Sequence, residues 1–185
     1  MKLPSQSRPY YVFLGRFAPL QIGHQLLIDS LIARYGLPNV LLLVGSSNSY
    51  NPRTPYTYAE RKEMIQAVYP GIKVAPLPDI NPTQIHFDGL TNDLWLDRLQ
   101  QLEKKMAAEF IFFGGSQEDL SVLSQRFKTI VLVNRHRRGL NISATQVRQA
   151  LAKNDEKALD SLLSPLVLPL ARSGYHRYQK QPLAS

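Results

Sequence analysis

Five short apolar runs alternate with segments of helical periodicity, and this alternation confines the chain to a parallel sheet with crossover helices. The runs lie at 10–14, 39–44, 72–76, 110–113 and 129–133. After the first, Ile28, Leu31, Ile32 and Tyr35 recur at i, i+3, i+4 and i+7, one face of a helix. The second ends at Gly45 and leads through a polar loop, 46–55, into Thr57-x-x-Glu60, a capping-box spacing that predicts a helix start. A loop from Pro78 to about Leu90 precedes a further helix with Trp95, Leu99, Leu102 and Met106 on one stripe, and the fourth run stops at Gly114-Gly115. The expected fold is α/β: a Rossmann-like, doubly wound, five-stranded parallel sheet with a small helical C-terminal region. We read 1–185 as one domain, with a core over about 10–152 and a helical extension over 153–185.

The segment Gly15-Arg16-Phe17-Ala18-Pro19-Leu20-Gln21-Ile22-Gly23-His24 joins the first strand to the first helix. At the carboxyl end of a strand, a helix N-terminus presents unpaired N–H groups and partial positive charge to an anion. His24 adds a donor at the same end. Downstream, Ser143 and Gln146 again have capping-box spacing, so a second helix starts there. Thr145 lies within it, and the Arg148 guanidinium, one turn in, is suited to bidentate phosphate contact. Two helix starts are therefore candidates to hold phosphate.

The formal net charge of +8 suits nucleic acid, an acidic membrane surface or a polyanionic small substrate. Zero cysteines exclude disulfides, thiol catalysis and thiolate metal sites. His86, His136 and His176 share no metal-ligand spacing, so no protein metal site is expected. The N-terminal residues lack a signal-like apolar core, and the stretch 162–171 carries Pro165 and Pro169 and is too short to span a bilayer. The expectation is a cytoplasmic protein with no membrane partner. The basic tail, with Arg172, His176, Arg177 and Lys180 among Tyr175 and Tyr178, reads as a solvated terminal helix or arm, with no stable nucleic-acid partner.

The two phosphate segments together resemble the HxGH-containing nucleotidylyltransferases. Gly45-Ser46-Ser47, Arg53-Thr54-Pro55-Tyr56-Thr57, Glu60-Arg61 and Asn92-Asp93-Leu94-Trp95 resemble, in the same order, segments of the archaeal-type nicotinamide-mononucleotide adenylyltransferases. The resemblance covers about 10–150 and has no counterpart after about Ala152. It implies transfer of AMP from ATP to nicotinamide mononucleotide, giving NAD and pyrophosphate, with Mg²⁺ held mainly by ATP phosphates. Nicotinate mononucleotide or another phosphorylated acceptor is the alternative, and a non-catalytic nucleotide-binding regulatory protein is an alternative of another class. The resemblance also makes a homo-oligomer plausible.

Carried over by position, the resemblance implies catalytic roles for His24, Arg16 and Gln21. It implies ATP contacts from Gly15, Arg16, Phe17, Gly23, His24, Arg53, Ser143, Thr145 and Arg148, and mononucleotide contacts from Asp79, Ile80, Asn92 and Trp95. Gln21 departs from the pattern, standing where the family usually has the first histidine of HxGH. A neutral amide in place of a charge-assisted donor is expected to weaken phosphate stabilisation by ~1 kcal/mol, so that Gln21→His raises turnover. Alone, Trp95 on the Leu99 stripe would read as core packing; the neighbouring Asn92 and the family spacing turn the reading to ring stacking. Arg61 reads as a surface or loop-bracing residue, and one arginine of Arg135-His136-Arg137-Arg138 is a candidate to reach ATP.

Overall fold

Side chains of a strand alternate between the two faces of its sheet, and in this chain both faces are apolar. In β1 (Arg8–Gly15), Phe13 is buried on one face while Tyr10 and Val12 are buried on the other. In β2 (Val40–Gly45), Val40, Leu42 and Val44 join the Phe13 side, and Leu41 and Leu43 join the Val12 side. Strands covered on both faces read as continuous apolar runs, which is how buried parallel strands look in sequence. A computed structural model describes residues 8–80, 89–114, 117–130 and 142–181 and bears this out. With β3 (Lys73–Leu77), β4 (Ala108–Phe113) and β5 (Lys128–Ile130) the sheet has the order β3-β2-β1-β4-β5, and every pairing is parallel.

Helices α1 (Ile22–Tyr35), α2 (Tyr58–Val68) and α5 (Ala144–Lys153) bury Ile28, Leu31, Met64, Ile65, Val147 and Leu151 on the Phe13 face. On the other face, α3 (Gly89–Lys105) and α4 (Gln117–Leu123) bury Leu96, Leu99 and Leu123. The chain runs outward from β1 to β3 and then crosses to β4 and β5 on the far side of β1. The strand order thus reverses beside β1, which opens a crevice at the carboxyl ends of β1 and β4.

The structure departs from the sequence reading at several places. On α3 the fully buried positions are Leu96 and Leu99, while Trp95 and Leu102 are partly buried and Met106 lies just past the helix end. Helix α4 was not expected, since seven residues give too short a pattern to show a period. The fifth strand is described only over Lys128–Ile130; residues 131–133, Asn81-Pro82, Gly115, His86 and the Arg135-His136-Arg137-Arg138 run lie outside the described residues.

The expected C-terminal helices are α6 (Glu156–Leu162) and α7 (Leu168–Lys180), and they share the core of the sheet through Leu159, Leu163, Val167 and Ala171. Burying each of these apolar side chains contributes about 1.5–3 kcal/mol for the larger ones. A Cβ at Gly174 would come within 2.7 Å of the Tyr56 ring and 2.8 Å of Glu60 Oε1, so only glycine lets α7 approach α2 this closely. Among the described residues no helix is long and apolar enough to cross a membrane.

Candidate active site

The carboxyl ends of the central strands are level: Gly15 is in register with Val44, and Gly45 with Leu77. The loop leaving β1 turns through Phe17, whose φ of 47° lies in the left-handed region that a bulky residue rarely occupies. Its ring is fully buried and meets the Phe13 and His24 rings edge-on, at centroid distances of 5.5 and 5.1 Å. A side chain at Gly15 would collide with that ring, the nearest atom being 3.0 Å away. Phe17 can therefore serve a ligand only through its backbone.

Gln21 caps α1. Its Oε1 accepts from the Gly23 N–H at 2.6 Å, and its own N–H donates to His24 Nδ1 at 3.3 Å, closing a reciprocal capping box. Its Nε2 donates to the Ile142 carbonyl at 3.1 Å, across 121 positions of sequence. The side chain is 1% exposed. The oxygen and one N–H of the Gln21 amide are thus engaged by the protein, which gives the residue a capping and bridging role beside the catalytic one read from its position. A neutral imidazole also has one acceptor and one donor. Gln21→His is accordingly expected to leave turnover within about twofold, whereas Gln21→Leu, which strands the Gly23 N–H and the Ile142 carbonyl, should cost about 1–3 kcal/mol in urea unfolding. A gain of about fivefold in Gln21→His, the worth of ~1 kcal/mol, would instead support the catalytic reading.

The same join is made from the other side. Arg148 donates from Nη1 to the Ala18 carbonyl at 3.0 Å and from Nη2 to Thr145 Oγ1 at 3.2 Å, which fixes the plane of its guanidinium. Helix α5 starts as the spacing predicts: Ser143 Oγ accepts from Gln146 N, and Gln146 Oε1 accepts from Ser143 N. Helices α1 and α5, from opposite ends of the sequence, thus begin side by side next to β1. The pKa of Arg148 is lowered chiefly by burial; Arg16 and Arg53 push it the same way, against the nearby Tyr56 and Tyr175 phenols. Arg16 and Arg53 are thus close enough to Arg148 to act on it electrostatically, and this end of the sheet is cationic, a character that suits an anionic ligand.

Arg53 stands on the turn 51–54, whose geometry is set by Asn51 Oδ1 accepting from Arg53 N, Thr54 N and Thr54 Oγ1. Asp79 ties the loop after β3 to this one: its carboxylate accepts from Ser46 Oγ and Ser49 Oγ, both at 3.1 Å, and the Asn48 amide bonds its backbone N–H and carbonyl. Read from sequence as a mononucleotide contact, Asp79 is first a brace between loops. Arg98 of α3 donates to the Pro78 carbonyl, tying α3 to the loop after β3. Asn92, Trp95 and Ile80 are all partly exposed.

Arg61 is fully buried, so the surface reading fails and the bracing one holds. Its guanidinium donates to the carbonyls of Arg16, Gly45, Ser46 and Thr57, gathering the ends of β1 and β2 onto the start of α2. With carbonyl partners only, burial lowers its pKa to about 10, leaving it cationic at neutral pH. One signal of its burial was present in the sequence: Arg61, Met64 and Ile65 fall at i, i+3 and i+4, on the inward stripe of α2. The Ser46, Asn48 and Ser49 clasp had no such signal, since it depends on the tertiary approach of two loops.

The profile described as cytidylyltransferase-like matches residues 12–150, spanning both phosphate segments. The chain belongs to that family. Within the cytidylyltransferase-like family it is 27% identical over 150 residues to the nicotinamide-nucleotide adenylyltransferase of Sulfurisphaera tokodaii, covering 78% of this chain and 80% of the relative. Among solved structures it resembles the NadR protein in complex with NAD and AMP-PNP, with a TM-score of 0.58 and 24% identity over 81% of this chain. The chain spans 44% of the length of that NadR chain. It also resembles the Plasmodium falciparum nicotinic acid mononucleotide adenylyltransferase complexed with NaAD, with a TM-score of 0.57 and 14% identity, covering 94% of this chain and 98% of the other. These structural likenesses carry the fold, and the doubly wound sheet agrees with them.

Proposed function

We propose that this chain transfers AMP from ATP to nicotinamide mononucleotide, forming NAD and releasing pyrophosphate. The observation that carries the reading is the meeting of two capped helix starts through the Gln21 to Ile142 and Arg148 to Ala18 bonds, with Arg16 and Arg53 close enough to act electrostatically on Arg148. The S. tokodaii relative supports the choice of acceptor. In this reaction a mononucleotide phosphate oxygen attacks the α-phosphorus of ATP and pyrophosphate leaves in line. The nucleophile is already an anion, so no side chain has to take a proton. The work is alignment of two polyanions and stabilisation of charge in flight.

In this proposal Arg16 and His24 contact the ATP phosphates from the α1 side. Gly15, Phe17 and Gly23 contribute backbone, while Ser143, Thr145 and Arg148 hold the outer phosphates from the α5 side and Arg53 closes over them. Asn92 hydrogen-bonds the nicotinamide amide, Trp95 stacks on its ring, and the Asp79 to Ile80 loop lines the pyridine side. Among the described residues no three His, Cys, Asp or Glu side chains come together, and the Asp79 carboxylate is engaged by Ser46 and Ser49. That donor set fits a divalent ion that arrives on the triphosphate and keeps its waters, as magnesium does. A divalent ion carried on the triphosphate would supply neutralisation of the pyrophosphate charge, beside the cationic Arg148 and Arg53 side chains.

The test is a coupled assay for pyrophosphate with ATP, magnesium and nicotinamide mononucleotide, run beside nicotinate mononucleotide. Faster turnover on the acid form would replace the acceptor named here, and ATP binding without pyrophosphate release would replace the enzyme by a nucleotide-binding regulator. Trp95→Ala is expected to raise KM for the mononucleotide by about tenfold, the loss of one stacked ring, with KM for ATP little changed. Equal effects on both substrates would mark Trp95 as packing only.

A further inference from the structure

Helix α7 follows every segment that the proposed reaction uses, yet it packs against α5 and against residues on both sides of the Arg53 turn. The Tyr178 ring meets the Tyr50 ring edge-on at a centroid distance of 5.2 Å, immediately before the 51–54 turn that carries Arg53. Arg177 pairs with Glu60, whose other oxygen accepts from the backbone and hydroxyl of Thr57 at the start of α2. Tyr56 Oη donates to the Ala171 carbonyl at 3.1 Å, and Gly174 brings α7 into contact with the Tyr56 ring. The Tyr175 phenol lies near enough to Tyr56 and Arg148 to influence both.

The loop 46–55 is therefore held twice. Asp79 grips it at Ser46, Asn48 and Ser49, and α7 grips it at Tyr50 and, just past it, at Tyr56. Arg53 projects from the stretch between these anchors and is exposed. No hydrogen bond or ion pair of the described residues joins the α7 face to Asn92, Trp95 or the loop after β3.

We infer that α7 is a positioning element for ATP, with Tyr178 holding the Arg53 loop in its binding-competent form through Tyr50. The inference rests on the proposed ATP site and extends it to a part of the chain beyond the family match, which ends at residue 150. When a binding-competent state is only fractionally populated, apparent affinity falls by that fraction. Loss of an aromatic pair is expected to depopulate the loop state by about two- to tenfold.

The test measures direct binding of a non-hydrolysable ATP analogue by calorimetry, with KM values for both substrates. Tyr178→Ala weakens analogue binding and raises KM for ATP by about two- to tenfold, leaves KM for the mononucleotide unchanged, and Tyr178→Phe restores both. Tyr50→Ala has the same effect, and the double variant shows no further loss, because both remove one contact. Leu123→Ala, on the opposite face of the sheet, lowers the melting temperature without the ATP-specific change and so controls for general destabilisation. Unchanged ATP affinity in Tyr178→Ala, or an equal rise in both KM values, overturns the inference. If the wild type binds the analogue but makes no pyrophosphate, the proposed reaction fails while the affinities of the variants still decide the role of α7. If the wild type binds no ATP analogue, both fail.

Discussion

His24→Ala is expected to lower kcat/KM for pyrophosphate release by about 10²–10³-fold, the loss typical of a donor aimed at charge developing in a transition state. His24 is 8% exposed, at the third position of α1, and its Nδ1 accepts the Gln21 N–H. A neutral imidazole with Nδ1 accepting carries its proton on Nε2, so the capping box selects the tautomer that makes the other nitrogen a donor. Alanine also removes half of the capping box, at a cost of about 0.5–1 kcal/mol in stability. His24→Gln separates the two effects, because glutamine is a natural partner at this position of a capping box and keeps the helix start while removing the imidazole. Both variants should lose turnover, and only alanine should lose melting temperature. Turnover within a few-fold of wild type in both would remove His24 from the chemistry and leave it a capping residue.

Arg61→Met should be the most destabilising single change among the described site residues. Methionine fills much of the volume, but the carbonyls of Arg16, Gly45, Ser46 and Thr57 lose their common donor. Stranding buried acceptors of a charged donor costs about 3–5 kcal/mol after allowing for the desolvation that the guanidinium itself no longer pays. For a domain of this size that is a fall in melting temperature on the order of 10 °C. Arg61→Lys keeps the charge but has three donors on one nitrogen, which cannot span carbonyls from β1, β2 and α2, so it should recover less than half of the loss. A melting temperature for Arg61→Met within 2–3 °C of wild type, roughly the effect of 1 kcal/mol, would show that the carbonyls find other donors.

Much of the fold was legible because buried parallel strands and capped helices leave local marks. The runs around Val12, Leu42 and Phe112 are apolar on both faces, and Thr57 with Glu60 and Ser143 with Gln146 cap the helices their spacing predicts. Helix α4 left no mark because it is short, and the shift of the buried α3 stripe from Trp95 to Leu96 reflects packing against the sheet, which periodicity alone does not register. The residue types of the candidate site were legible, but the partners of several were not. The bonds Gln21 makes to Gly23 and Ile142 were not legible, because sequence shows what a side chain can do and not where its bonds are spent. Asp79 likewise has an acceptor's chemistry whether it faces a ligand or two serines. Arg61 could have been placed inside from its position on the α2 stripe, against the usual rule that arginine is exposed.

The bond from Gln21 to Ile142 means that the proposed nucleotide site needs both α1 and the segment that starts α5. One half of the proposed phosphate site is present when the first helix forms, yet its counterpart is the last segment of the family match to be synthesised. A ribosome-bound chain lacking α5 should therefore have little grip on ATP. In the complete protein, ligand at 100 times its Kd adds about 2.7 kcal/mol to the stability of the whole domain rather than to one lobe. On the proposed reading, protection by ATP against proteolysis should appear only once α1 and α5 have met.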